Sequence, residues 1–177
     1  MSELPLRSGL LRNDSGATAV EFACLAGALA LMVLGIIDFG RAFWFQMEVR
    51  NAAQAGADWA QYNAFNCTAS SCTNGVPSGL ENAVIYATDL SLNSANITVA
   101  ASTGGNTCGC PGVSGVTAGA TCGSTCTIGT STYGAATGYA TVTVTYAFSP
   151  IFPWPVLSNP TTLSGSATVM CKGGATC

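Results

Sequence analysis

Residues 17–37 read ATAVEFACLAGALALMVLGII, a 21-residue run in which Glu21 is the sole ionisable side chain apart from the thiol of Cys24. About 20 apolar residues span the hydrocarbon core of a bilayer as a helix, so the run is long enough for one membrane crossing. A short polar leader precedes it, holding Glu3, Arg7, Arg12 and Asp14. Asp38, Phe39, Arg41, Phe43, Trp44 and Phe45 follow it. Rings and a guanidinium at the end of an apolar segment suit the water–lipid boundary, where rings anchor and Arg reaches outward along its apolar stem. A cleaved secretory signal has a different layout, with an apolar core of about 7–15 residues and a small-residue cleavage site after it. Here the run is longer and bulky aromatics follow.

The helical pattern continues past the apolar run. Phe45, Val49, Ala52, Ala53, Gly56 and Ala60 recur at the spacing of one helix face, and Asn51, Gln54, Asp58 and Gln61 occupy another. A helix over residues 17–62 would be about 70 Å long at 1.5 Å per residue. Its outer third is amphipathic, and the Ala/Gly stripe there is expected to pack within its own chain.

Composition narrows the functions open to the rest. The 177 residues carry a net charge of −3, only 7% charged residues, nine cysteines and no histidine; soluble globular chains carry about 25% charged residues. Five Lys and Arg against eight Asp and Glu cannot build the basic patch that neutralises phosphates, so nucleic acid is not a partner. Without histidine, Ser-His-Asp and Cys-His catalysis and all His-containing zinc sites are closed off. Asp58, Glu81 and Asp89 are too few and scattered to propose a catalytic carboxylate pair. No enzyme activity, catalytic residue or cofactor is assigned. Residues 90–171 carry no charge at all, so hydroxyls, amides and crosslinks must keep that part folded and soluble.

After a turn region around Cys67 and Cys72, Ser78-Gly79-Leu80-Glu81 reads as a capping box opening a short helix to about Leu90. Residues 96–100 have strand character. Residues 101–137, dominated by Gly, Thr, Ser and Cys, are expected to form a long stapled loop. Val142, Val144, Tyr146 and Phe148 alternate with Thr and Ala in a period-2 strand over 141–148. Pro150, Pro153, Pro155 and Pro160 then break the chain before a last strand over 161–170. The expected fold is α+β: a long N-terminal transmembrane and stalk helix, then a small disulfide-rich head with a short helix and an antiparallel sheet.

Eight cysteines lie beyond the apolar run: Cys67, Cys72, Cys108, Cys110, Cys122, Cys126, Cys171 and Cys177. Cys24, inside it, reads as a small buried thiol. An even number at this density, in a head with few large apolar residues, points to an oxidising compartment where disulfides supplement a small core. Local pairs of Cys67 with Cys72 and Cys171 with Cys177 fit the spacing. Cys108 and Cys110 are expected to pair outward with Cys122 and Cys126 rather than with each other. The chemical alternative, a four-thiolate zinc site of Cys108, Cys110, Cys122 and Cys126, has C-x-C and C-x3-C spacings in place of the usual C-x2-C. No metal is assigned.

Glu21 carries the functional information. A carboxylate in a membrane span is costly and marks a functional site whose partner should be named; the alternative is that Glu21, five residues into the run, lies near enough the boundary to be hydrated. Cutting the chain after Gly16 would create one, the α-amino group of Ala17, four residues before Glu21. The segment Gly16-Ala17-Thr18-Ala19-Val20-Glu21-Phe22 resembles a type IV prepilin processing site, in which a hydrophilic leader ends in Gly and Glu is the fifth mature residue. With Gly35-Ile36-Ile37-Asp38-Phe39-Gly40-Arg41-Ala42, residues 16–44 resemble more narrowly the TadE-like minor pilins or pseudopilins of the tight-adherence (Tad/Flp) pilus system. A Gly-x4-Glu alone occurs by chance; the same spacing at a polar-to-apolar boundary, followed by this run, is specific. Phe22 stands where related major pilins carry Tyr. The C-terminal strands resemble the family more loosely.

The resemblance implies a type IV pilin-like fold with a leader at 1–16, a transmembrane helix at 17–38, a stalk at 39–62 and a periplasmic or extracellular head at 63–177. It implies cleavage after Gly16 by a prepilin peptidase, with Glu21 and Phe22 at the assembly surface. The implied partners are that peptidase, other pilin or pseudopilin subunits, the Tad assembly machinery and inner-membrane lipid. The implied place is the bacterial inner membrane, with passage into the extracellular pilus open. The alternative is a membrane-anchored adhesin or surface-binding module, to which the uncharged Thr/Ser/Gly-rich head lends itself.

Overall fold

The structure, a computed structural model, describes residues 15–63, 76–101, 108–112, 115–152 and 159–172. The leader up to residue 14, the turn region around Cys67 and Cys72, Pro153, Pro155 and Cys177 lie outside the described residues. The chain divides into two units, residues 1–40 and 41–177.

Helix α1, Ser15–Tyr62, runs for 48 residues without a proline. It stops where Asn63 turns back: its backbone N–H and its Nδ2 both donate to the Trp59 carbonyl, at 3.2 and 2.8 Å, which satisfies a carbonyl the helix end leaves open. In the first unit the large apolar side chains face outward. Phe22, Leu25, Leu29, Met32 and Ile36 are each at least 60% exposed, and none of the most apolar 18-residue window is buried. This is the one helix among the described residues long and apolar enough to cross a membrane.

In the second unit the remainder of α1 is amphipathic, and its Ala/Gly stripe enters a core. Val49, Ala52, Ala53, Ala57 and Ala60 are buried with Leu80 and Val84 of helix α2, Ser78–Tyr86. Facing them is a three-stranded antiparallel sheet in the order β1-β6-β7, with β1 at Ile97–Ala101, β6 at Tyr139–Phe148 and β7 at Thr161–Met170. Ala140, Val142 and Val144 of β6 and Ile97, Val99 and Ala101 of β1 point into the core. The intervening positions pair hydroxyls on the other face, Thr141 with Thr168 and Thr143 with Ser166; the Oγ1 atoms of Thr141 and Thr168 are 2.8 Å apart. Two glycines set the helix–sheet spacing. A Cβ on Gly56 would lie 2.6 Å from Val84 Cγ2, and one on Gly165 would lie 3.0 Å from the Arg50 Cα and the Val49 carbonyl oxygen.

Two expectations are corrected here. The capping box at Ser78 is not formed: Pro77 is the N-cap, with no side-chain cap bond. α2 also ends at Tyr86, short of Leu90, because the chain turns so that Leu90 and Leu92 enter the core. The Thr88 hydroxyl accepts the Leu90 N–H at 3.2 Å, and Asn93 caps a 3-10 turn over Ser94–Asn96, local bonds that compete with helix.

The stretch expected as a stapled loop instead holds two hairpins. β2, Cys108–Gly112, pairs with β3, Gly115–Ala120, and β4, Thr125–Ile128, pairs with β5, Ser131–Ala135. Between β4 and β5 the two-residue turn has Gly129 first, with φ 62°, a position that favours glycine in II′ hairpins. The hairpins share a small core of Cys108, Cys126 and Ala136. They join the strand leading into β6 through Gly109 and Thr137, whose N–H groups donate to each other's carbonyls at 2.9 and 3.2 Å.

Candidate functional site

The first turns of α1 hold the residues singled out from the sequence. The Gly16–Ala17 peptide bond lies in the first turn. A Cβ at Gly16 would meet nothing within 4 Å, so packing does not require glycine there. Glu21 is exposed, one turn beyond Ala17 and about 6 Å further along the axis at 1.5 Å per residue. Phe22 is 73% exposed. Cys24 is a free, exposed cysteine, which corrects its reading as a buried thiol: the apolar surface of this part of the helix lies bare among the described residues. The site is therefore an open apolar surface carrying one carboxylate.

At the start of the second unit the aromatic cluster separates into two groups. Phe43 and Trp44 are 71% and 59% exposed. Phe45 instead turns inward, with its ring 5.4 Å from that of Tyr146 and 5.6 Å from that of Phe148. The Arg41 guanidinium lies over both the Phe45 and Phe148 rings, at 5.7 and 5.5 Å from their centroids. Cation–π contacts of this kind hold the side chain on the head, whereas the sequence alone predicts that it reaches outward. The i, i+4 spacing of Arg41 and Phe45 was the available signal; the partner ring came from β6, which no local pattern reveals.

The cysteines are brought together in the hairpins. Cys108 is bonded to Cys122 and Cys110 to Cys126. These four sulfurs are held pairwise and are not thiolates, so they do not form the zinc set considered above. Cys171 is disulfide-bonded as well, while Cys67, Cys72 and Cys177 lie outside the described residues. Among the described residues no group of three or more His, Cys, Asp or Glu is placed to hold a metal ion.

A cleft of about 470 Å³ runs between α1 and β7, lined by Arg50, Gln54, Ser164, Gly165, Ser166 and Ala167. Gln46 Nε2 donates to the Ser164 carbonyl at 2.7 Å, and Gln54 Nε2 donates to Asp58 Oδ1 at 2.9 Å.

Comparison with known proteins places the N-terminal helix. Residues 16–58 match the family of TadE-like proteins. No curated protein and no solved structure matches the chain. The match starts at Gly16 and ends within α1, so it covers the apolar run, the Ile-Ile-Asp-Phe-Gly-Arg segment and most of the stalk. The likeness carried by residues 16–44 thus extends to residue 58, and within the N-terminal helix this chain is similar to the TadE-like proteins.

Proposed function

We propose that this chain is a minor pilin or pseudopilin that takes part in assembly or priming of a Tad-type pilus. A prepilin peptidase cuts after Gly16 at the cytoplasmic side of the inner membrane and leaves Ala17 as the new N-terminus. Residues 17–38 hold the subunit in the membrane until it joins other subunits. Residues 39–62 form the stalk, and the head from residue 63 lies in the periplasm or outside the cell. The disulfides of the head agree with an oxidising compartment.

The observation that carries this reading is the exposed apolar surface of α1, broken only by Glu21 and headed by a glycine that packing does not require. Such a surface needs lipid or neighbouring helices to cover it. Moving from lipid into a helix bundle, Glu21 needs a cationic partner, since an unpaired charge in an apolar interior is costly. The ammonium of Ala17 on a neighbouring subunit supplies one, and their pairing sets axial register while the apolar side chains supply packing.

Glu21→Ala tests the mechanism. Pilus assembly should fall sharply while the variant is still processed and its head keeps the wild-type melting temperature. Normal piliation by Glu21→Ala would overturn the pairing role.

A further inference from the structure

β7 is a sheet edge ten residues long. Native edges are normally blunted by charge, proline, a bulge or shortness, because their unpaired backbone groups recruit other strands. Residues 161–170 include no charge or proline, and the register of β7 with β6 is unbroken from Thr161 to Met170; cover of this edge among the described residues is partial, with Gln46 of α1 on the Ser164 carbonyl and β3 against part of the strand. The opposite edge, β1, has five residues. The Ser164 carbonyl accepts from Gln46 and so points away from β6. Alternation along an antiparallel strand turns the backbone groups of Thr162, Ser166 and Thr168 the same way. Among the described residues no backbone partner takes the outward N–H of Ser164 or Ser166.

Beside this open ladder stands a cation. Gly165 lets β7 approach the Arg50 backbone, and the exposed Arg50 side chain lines the cleft with Ser164 and Ser166. Arg50 makes no hydrogen bond or ion pair with the described residues, while Asp58, further along the helix, is engaged by Gln54. We propose that the β7 edge is a strand-addition site for an extended segment of a partner protein that carries a carboxylate opposite Arg50. The backbone ladder supplies affinity and the guanidinium fixes register and selects an acidic segment. The inference concerns residues 41–177 and goes beyond the pilus reading; it stands or falls independently of Glu21.

The test uses the full chain in detergent micelles and, as probe, a nine-residue peptide of alternating Thr and Val with one central Glu. Hydrogen exchange should slow across residues 161–170 when the peptide is added. A peptide with Gln in place of Glu should bind about tenfold more weakly, and Arg50→Glu should reverse the preference toward a Lys-bearing peptide. Ser166→Pro removes one outward N–H without touching the β6 ladder, so it should abolish binding while the melting temperature stays close to wild type. Absence of slowing in β7 at any soluble peptide concentration would overturn the site. Equal binding of the Glu and Gln peptides, or retained binding by Ser166→Pro, would overturn the charge selection or the strand pairing respectively. Should Ser166→Pro fail to fold, the Arg50→Glu exchange of preference still decides.

Discussion

Gly56→Ala sets two effects of opposite sign against each other in the stalk. In a helix interior Ala is favoured over Gly by about 1 kcal/mol, so a free-standing stalk would become more stable. The head opposes this. The added Cβ would fall 2.6 Å from Val84 Cγ2, 3.0 Å from Val142 Cγ1 and 3.6 Å from Leu80 Cδ2, where carbon atoms prefer about 3.5–4.0 Å. Val84, Val142 and Leu80 are fully buried. Both valines are β-branched and stiff, and Val142 is pinned between β1 and β7. Relief therefore requires α2 to shift, and overpacking of this kind costs about 1–3 kcal/mol. The contact to Val84 is the shortest, so we place the strain near the upper end and expect a net loss of about 1–2 kcal/mol. Val84→Ala alone should cost about 2 kcal/mol, for two buried methyl groups and the space they leave. In the double variant the methyl added at position 56 enters that space, so the combined loss should fall short of the sum by about 1 kcal/mol or more. Denaturant unfolding of the full chain in micelles, followed by tryptophan fluorescence, reads all three; Trp59 sits at the α1–α2 contact, against Gly79. A more stable Gly56→Ala, or strictly additive losses, would refute the claim that this stripe packs on its own head.

Further outcomes follow from the head. Replacing Cys110 and Cys126 together by Ser opens a link spanning 16 residues and should cost about 3 kcal/mol. Hydrogen exchange should quicken over residues 108–135 while the β6–β7 ladder keeps its protection; equal loss in both would show that the hairpins and the sheet are one cooperative unit. Gly165→Ala places a methyl 3.0 Å from Arg50 and Val49 backbone atoms and should lower stability by about 1–3 kcal/mol, so an unchanged urea midpoint would contradict the close approach. Phe148→Leu removes the ring that lies 5.5 Å from the Arg41 guanidinium and 5.6 Å from Phe45 and should cost about 1–2 kcal/mol. A shift no larger than that of a surface substitution would deny the cluster a role in holding Arg41.

The parts of this fold that are legible in the sequence are those where burial alternates with polarity. Val142 and Val144 announce β6 because one face is apolar core and the other is threonine, and the Ala/Gly stripe of the stalk lies where 3.6-residue spacing puts it. The hairpins escape detection because Gly, Thr, Ala and Cys look alike on both faces of a strand. The outward pairing of Cys108 and Cys110 with Cys122 and Cys126 is legible, but which cysteine takes which, and the glycines with positive φ that help set the register, become visible only in three dimensions. α2 starts without the expected box because Pro77, with its fixed φ, already occupies the N-cap, and Glu81 cannot complete a box without a side-chain cap before it. At the candidate site, Gly16, Glu21 and their spacing can be read directly, since an isolated carboxylate in an apolar run needs no tertiary context to be noticed. The place of Arg41 cannot, because Phe148 is more than a hundred residues away in sequence and meets it only through the sheet. The open edge of β7 is likewise invisible, since strand order is a property of pairing rather than of composition.

The most direct test of the pilin reading is intact-mass and N-terminal analysis of the protein recovered from its native membrane. The account predicts a mature chain beginning at Ala17, with Cys24 reduced and the other eight cysteines oxidised. A chain still beginning at Met1, with free thiols in the head, would contradict both prepilin processing and a head outside the cytoplasm.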